Sequence, residues 1–239
     1  MSIAQLTVDP RYFGMPGLGN GGYVAGLLAS FAIDTVEVRL RSPVPLGVAL
    51  DLCALEGGAL ELRHGEVRLA TAEPAELELE VPASIGAEVA HAASLQYRGH
   101  LSHASPTCFV CGPARSDGLR IFPGPTVIGG RDAVAATWCP DPALAGTRGK
   151  VRPEFIAAAL DCPGYYAAVA DARPMLLGRF TCLYEGTVAV GETCVVAAWR
   201  IGGEGRKHRV ATVLYGADGR TVARARGSWI ELRAVAKET

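Results

Sequence analysis

Apolar positions along this chain recur at two periods, and the periods follow one another in the same order in its two halves. Ala4–Val8 reads as a short strand, and Gly14–Gly19 as a Gly/Pro-rich turn. Tyr23, Val24, Leu27, Leu28 and Phe31 then recur at helical spacing and predict a helix over Gly21–Phe31. Asn20 stands ahead of it as an N-cap, a side-chain acceptor for the first free amides. Strand-like segments follow at Thr35–Leu40, Val48–Leu55, Leu60–His64 and Val67–Ala72, with turns at Gly57-Gly58 and His64-Gly65. Val81–Ser105, rich in Ala, Ser and His, reads as a connector with one helix near Ala87–Leu95. Beyond it come strands at Leu119–Phe122 and Ala133–Cys139, a Pro/Gly turn, and a helix from about Pro153. Pro163-Gly164 must kink or end that helix. Strands at Leu177–Tyr184, Thr193–Ile201, His208–Tyr215 and Thr221–Leu232 complete the chain, the last two joined by an Asp218-Gly219 turn. Strand, central helix and antiparallel meander therefore occur twice, an α+β arrangement of one helix wrapped by an antiparallel sheet, duplicated.

The duplication also shows residue by residue. Shifted by 132 positions, Thr7–Ala29 lies on Cys139–Asp161 without a gap. Asp9-Pro10 falls on Asp141-Pro142, Gly14 on Gly146, Ala25 on Ala157 and Leu28 on Leu160. The chemistry differs at the two ends of the paired helices. The first copy opens Asn20-Gly21-Gly22 and has Ala29 eight residues after Gly21; the second opens Arg152-Pro153-Glu154 and has Asp161 there. If the copies face each other, one shared site has backbone donors and an acid, and the other has a proline and an alanine.

Composition narrows the partners. At 239 residues with a formal net charge of −1, the chain suits one large or two ordinary domains and gives no reason to expect nucleic acid. Arg220, Arg224 and Arg226 alternate along a strand and are expected to coat a solvated face. Met1–Pro10 lacks the pattern of a signal peptide, and Val24–Ile33 is about half a membrane span, so membrane insertion is not expected. Seven scattered cysteines favour a reducing cytoplasm over a disulfide framework.

Asn20-Gly21-Gly22-Tyr23-Val24-Ala25-Gly26 resembles the helix start of the phenylacetate-pathway type of hotdog-fold acyl-CoA thioesterase. Pro106-Thr107-Cys108-Phe109-Val110-Cys111-Gly112-Pro113, followed by Asp117-Gly118-Leu119, resembles the Cys-Phe-x-Cys-Gly-Pro segment of related hotdog proteins. The likeness covers residues 103–235 well, 5–60 moderately and 61–102 weakly. It implies two tandem hotdogs forming an intrachain pseudo-dimer, an N-terminal unit at 1–80 and a C-terminal unit at 106–239 joined by the connector 81–105. It further implies that the amide of Gly21 or Gly22 polarises a thioester carbonyl while Asp161 activates water or attacks directly. The second copy departs from the pattern, because Pro153 has no N–H and Ala29 no carboxylate; one working site per chain is expected. The implied ligand is a small acyl thioester, fatty or aromatic, with coenzyme A present only as part of the substrate and no cofactor or metal. A homo-oligomer is the expected assembly.

Each of these residues also has a plainer reading. Asn20 is either an N-cap alone or also touches substrate, and Gly21-Gly22 are either donors or turn residues. Asp161 either acts as base or nucleophile or caps a new helical segment beyond the kink. Glu154 reads as a helix-dipole partner, with the minority reading a substitute acid. Cys108 and Cys111 form the one CxxC and read as a tight turn; zinc would need two more ligands, for which His91, His100 and His103 lie just upstream. Cys139, Cys162, Cys182 and Cys194 read as core, and His64 and His208 as exposed turn residues. Arg152 and Arg179 are candidates for gripping a nucleotide by charge alone. A hotdog hydratase or dehydratase would need a histidine beside Asp161, and none is near in sequence. A non-catalytic acyl-CoA-binding protein would need only the cavity.

Overall fold

The computed structural model describes residues 2–169, 171 and 173–233. Residues 1, 170, 172 and 234–239, which fall within the two units expected from sequence, lie outside the described residues. The strands are β1 (Ser2–Leu6), β2 (Val36–Leu40), β3 (Leu50–Ala54), β4 (Leu60–His64), β5 (Val67–Pro74), β6 (Gly124–Ile128), β7 (Arg131–Trp138), β8 (Met175–Tyr184), β9 (Cys194–Glu204), β10 (Lys207–Tyr215) and β11 (Thr221–Glu231). The helices are α1 (Gly21–Ala29), α2 (Ala87–Ser94), α3 (Pro153–Ala159) and α4 (Cys162–Ala168).

All eleven strands join in one sheet of order β1-β3-β4-β5-β2-β8-β11-β10-β9-β7-β6. Its middle is the antiparallel β2–β8 pair, in which Glu37, Val38 and Arg39 face Thr181, Phe180 and Arg179. Outward from that seam, one side runs β2-β5-β4-β3-β1 and the other β8-β11-β10-β9-β7, with β6 as an extra edge strand. The two sides have the same connectivity: a strand (β1 or β7), a helix (α1 or α3), the seam strand (β2 or β8), then a meander.

The sheet curls around α1, α3 and α4. Val24, Leu28, Phe155, Ile156 and Leu160 are fully or almost fully buried there against Leu50, Leu52, Leu62 and Leu214. Removing such side chains from water is the main stabilising term, roughly 1.5–3 kcal/mol each. In the second half the outer face is buried as well. Ala211, Val213 and Tyr215 of β10 join Trp199 and Ile128 in a separate cluster that includes Ala90 of α2. Successive residues of a strand point to opposite faces, so burial on both sides explains the run Val210–Tyr215, buried throughout and apolar except at Thr212.

Helices α1 and α3 pack closer than ordinary side chains allow. A Cβ on Gly26 would lie 2.6 Å from the Ala157 Cβ and 2.7 Å from the Glu154 Cα. A Cβ on Gly22 would lie 2.5 Å from the Asp161 Cβ and 2.7 Å from the Ala157 carbonyl oxygen. The obstacles are backbone and Cβ atoms, which cannot rotate away, so the sequence must be small on both sides of the crossing.

Three sequence expectations are corrected. Leu119–Phe122 is not a strand: the Leu119 and Ile121 amides donate to the Phe109 and Val110 carbonyls, at 2.7 and 3.0 Å, folding the segment back on the Cys108–Cys111 turn. The strand lies later, at Gly124–Ile128, on the sheet edge where Pro125 needs no ladder partner. Cys139 is exposed rather than core, since β7 ends at Trp138. His208 is buried, with its Nε2 2.7 Å from the Glu231 Oε1, whereas His64 is exposed as expected.

Gly26→Ala is expected to force the helices apart and cost about 1–3 kcal/mol. Chemical denaturation should show a lower midpoint at unchanged slope.

Candidate functional site

The chain turns into α1 at Asn20, which sits extended at φ −61°, ψ 131°. Its Oδ1 accepts from the Tyr23 amide at 2.9 Å, the expected N-cap bond. The same side chain does a second thing: its Nδ2 donates to the Asp161 Oδ2 at 2.9 Å, across 141 residues. The Gly22 amide donates to that same oxygen at 2.8 Å. The close crossing of α1 and α3 is what brings a backbone N–H within reach, because any side chain on Gly22 would occupy the space of the Asp161 Cβ.

Asp161 occupies the break between α3 and α4, with φ −77° and ψ −72°. It stands at the N-cap position of α4, but its side chain caps nothing there. Pro163, at the start of α4, has no amide hydrogen to offer. The carboxylate is 2 % exposed, and its Oδ1 is buried without a partner among the described residues. Burial pushes its pKa up from 3.8 to about 7, against the opposing pull of the Gly22 amide and the Asn20 amide group. One oxygen is thus fixed by two donors, while the other keeps its lone pairs free.

Asn20, Gly21 and Asp161 line one cavity, whose walls are apolar: Met15, Leu18, Val24, Leu40, Leu177 and Trp229. The Gly21 amide, at the first position of α1, has no acceptor among the described residues. The four residues singled out in the sequence therefore meet at one place, with different partners. Gly22 and Asn20 hold Asp161; Gly21 keeps a free N–H at the positive end of the helix.

The reciprocal end of the helix pair lacks this equipment. There Glu154 is buried and pairs with the Arg152 Nε at 3.4 Å, while the Arg152 guanidinium lies 4.5 Å from the Phe155 ring centre. Arg179 is placed elsewhere, in a groove with Arg39, Arg41, Lys207 and Arg209. Leu40 lines both groove and cavity, and Leu177 of the cavity adjoins Gly178 and Arg179 of the groove. Arg39 and Arg179 face each other across the seam and share the Glu37 carboxylate, at 3.0 and 3.3 Å. Arg41, Lys207 and Arg209 have no carboxylate within ion-pair distance among the described residues.

The sequence reading puts neither His103, a candidate for zinc, nor Cys162, a core residue, at this cavity. His103 and Cys162 line it together with Cys108 and Cys111. The His103 Nδ1 accepts from the Ser105 amide at 2.9 Å, and its Nε2 lies 3.1 Å from the Cys111 carbonyl. Both ring nitrogens are therefore engaged, and burial lowers the ring's pKa. His91 and His100 are exposed and stay outside this group. The only local signal was the Cys108–Cys111 spacing; nothing near it pointed to Cys162.

No family profile matches the chain, and no curated protein matches it. Solved structures do. A candidate thioesterase II from Thermobifida fusca superposes with a TM-score of 0.63 at 14% identity, over 96% of this chain and 92% of its own. A candidate thioesterase from Novosphingobium aromaticivorans gives 0.63 at 14% identity, over 96% and 95%. A hot-dog-fold protein of unknown function from Alicyclobacillus acidocaldarius gives 0.61 at 14% identity, over 97% and 93%. At that identity the likeness shows the fold, and the fold is the hotdog. Among the described residues, no helix is long and apolar enough to cross a membrane.

The raised carboxyl has a consequence for stability. Between 3.8 and about 7 the folded protein retains a proton that the unfolded chain has released, so this group makes stability fall as pH rises across that window. Asp161→Asn keeps the two acceptor contacts and removes the buried charge. Thermal melts should show the variant gaining on the native protein from pH 5 to pH 8, by roughly a few kcal/mol at the upper end.

Proposed function

We propose that the chain is a thioesterase, built as two tandem hotdog units (1–80 and 106–239, joined by 81–105), that hydrolyses an acyl thioester in the seam between them. The observation that carries this reading is the half-satisfied carboxylate of Asp161, buried beside an unpartnered helix-start amide in an apolar cavity. Hydrolysis needs a nucleophile and a place for the charge that grows on the carbonyl oxygen. In this scheme the Asp161 Oδ1 takes a proton from water as the water oxygen bonds to the thioester carbon, or attacks that carbon itself. The Gly21 N–H receives the developing oxyanion, a contribution worth about 3–4 kcal/mol of barrier in comparable sites. With Asp161 as base, the C–S bond then breaks and the thiol leaves with the proton that the carboxylate took; with Asp161 as nucleophile, the thiolate leaves, takes a proton from solvent, and water hydrolyses the acyl-aspartyl anhydride to restore the carboxylate. A pKa near 7 suits the base, which is ionised at working pH yet basic enough to take a proton.

Asn20 and Gly22 act through Asp161, orienting one oxygen so that the other faces the cavity. The apolar walls suit a fatty or aromatic acyl group, as in fatty acid metabolism. The groove beside the cavity, which Glu204 also lines, suits the carrier: Arg41, Lys207 and Arg209 have no carboxylate partner among the described residues, an incomplete arrangement that phosphate oxygens complete. That favours coenzyme A over an acyl-carrier protein.

A hydratase reading gains His103 at the cavity but loses it again, since the Ser105 amide and the Cys111 carbonyl occupy its two nitrogens. An acyl-CoA-binding protein without turnover would need no ionised Asp161, and free thiol release separates it from the enzyme.

Assayed against a panel of acyl-CoAs, the protein should release free thiol, and Asp161→Asn should lower kcat by about 10²–10⁴ with substrate affinity nearly kept. Unchanged turnover in that variant would remove Asp161 from the chemistry. The rate should rise with pH and level off above about 7, as the carboxyl loses its proton. The double variant R41E/R209E should raise KM for acyl-CoA roughly tenfold while leaving the acyl-pantetheine rate unchanged.

A further inference from the structure

Three cysteines that thioester hydrolysis does not use converge beside the cavity. Cys108 and Cys111 come from one tight turn, and Cys162 opens α4 at a separation of 54 residues from Cys108. The three sulfurs all lie within 4.8 Å of one another, and the Cys108 and Cys162 sulfurs are 3.7 Å apart. All three residues are buried and reduced.

The turn is shaped around a sulfur. The Gly112 amide donates to the Cys108 carbonyl at 3.0 Å, and a Cβ on Gly112 would lie 2.5 Å from the Cys108 nitrogen. The Cys-x-x-Cys-Gly sequence therefore closes tightly, and the neighbouring Cys111 and Cys162 side chains hold the Cys108 thiol well below its usual range. Burial holds Cys111 well above that range, and donation to Cys108 does the same for Cys162. Three sulfurs thus converge at one wall of the cavity, an arrangement with little to offer a purely apolar core.

We propose that Cys108, Cys111 and Cys162 form a binding site for a thiophilic divalent metal ion, with zinc as the representative. Zinc sits about 2.3 Å from thiolate sulfur, so two thiolates at a tetrahedral angle lie about 3.8 Å apart, and the Cys108–Cys162 pair already has that spacing. The Cys-x2-Cys pair with a third cysteine from another element supplies three of the four positions of a tetrahedral zinc ion. His103 is not the fourth ligand in this geometry. Its Nδ1 accepts the Ser105 amide, so its Nε2 carries the proton and points toward the Cys111 carbonyl and sulfur, the latter at 3.4 Å. It supports a thiolate from the second layer. The fourth position faces the cavity and falls to solvent.

The ion's effect is mechanical: it ties the turn to the first residue of α4, immediately after Asp161. The Tyr97 hydroxyl already bridges the same two elements, donating to the Cys111 carbonyl at 2.8 Å and lying 2.6 Å from the Tyr166 hydroxyl. The site stands whether or not the chain hydrolyses thioesters.

Titrating the reduced, metal-stripped protein with Co2+ tests this without any variant. One equivalent should produce thiolate-to-cobalt charge transfer and the strong visible bands of tetrahedral coordination, and Zn2+ should abolish both. Calorimetry with Zn2+ in buffers of different ionisation enthalpy should report proton release on binding. Cys111→Ser and Cys162→Ser should each lose the charge-transfer band, whereas Cys182→Ser, at a buried cysteine outside the cluster, should keep it. The proposal fails if the fully reduced native protein gives no charge-transfer band at stoichiometric Co2+. It fails equally if the band survives in both cluster variants.

Discussion

The approach of α1 to α3 is the constraint on which the rest depends. Gly22 and Gly26 stand one turn apart on α1, and each faces backbone or Cβ atoms of the other helix at a distance where a methyl group has no room. Helices packed so closely can exchange a backbone hydrogen bond with a side chain on the opposite helix. The Gly22 amide does so, and a carboxylate that would otherwise be a buried liability becomes an oriented one. The two halves of the sheet, joined among the described residues at only the β2–β8 pair, are also linked by the same crossing.

Asp161 expresses a balance of opposing terms. Burial favours its neutral form; the Gly22 and Asn20 donors favour its charged form; burial wins, and the carboxyl ends near neutrality on the pH scale. Two donors on Oδ2 are enough to fix the side chain but too few to satisfy it. The break between α3 and α4 matters here, because Asp161 itself stands in it. Proline at position 163 forbids the continuous form.

The same break places Cys162 against the Cys108–Cys111 turn, so the geometry that aims the carboxylate also closes the sulfur cluster. The Leu119–Ile121 segment pairs with that turn instead of with the sheet, and it is this diversion that moves the edge strand to Gly124–Ile128. A local pattern of alternating apolar residues signals burial, and Leu119 and Ile121 are indeed buried. It does not say whether the backbone hydrogen bonds go to a strand or to a turn.

The sequence by itself determined what is local or repeated. The strands β3–β5 and β8–β11, the N-cap at Asn20, the helix break at Pro163 and the 132-residue correspondence follow from strand-forming runs between turn residues, side-chain reach and missing N–H groups. From these came the paired halves and the suspicion that Asp161 and the Asn20-Gly21-Gly22 segment share a seam. Only the tertiary structure decided which oxygen meets which donor, that Gly22 is committed to Asp161 while Gly21 is free, and that His103 and Cys162 join the cavity. Those contacts link residues tens to more than a hundred positions apart. They exist because the sheet closes over the helices, and no pattern within one segment records where another segment will land.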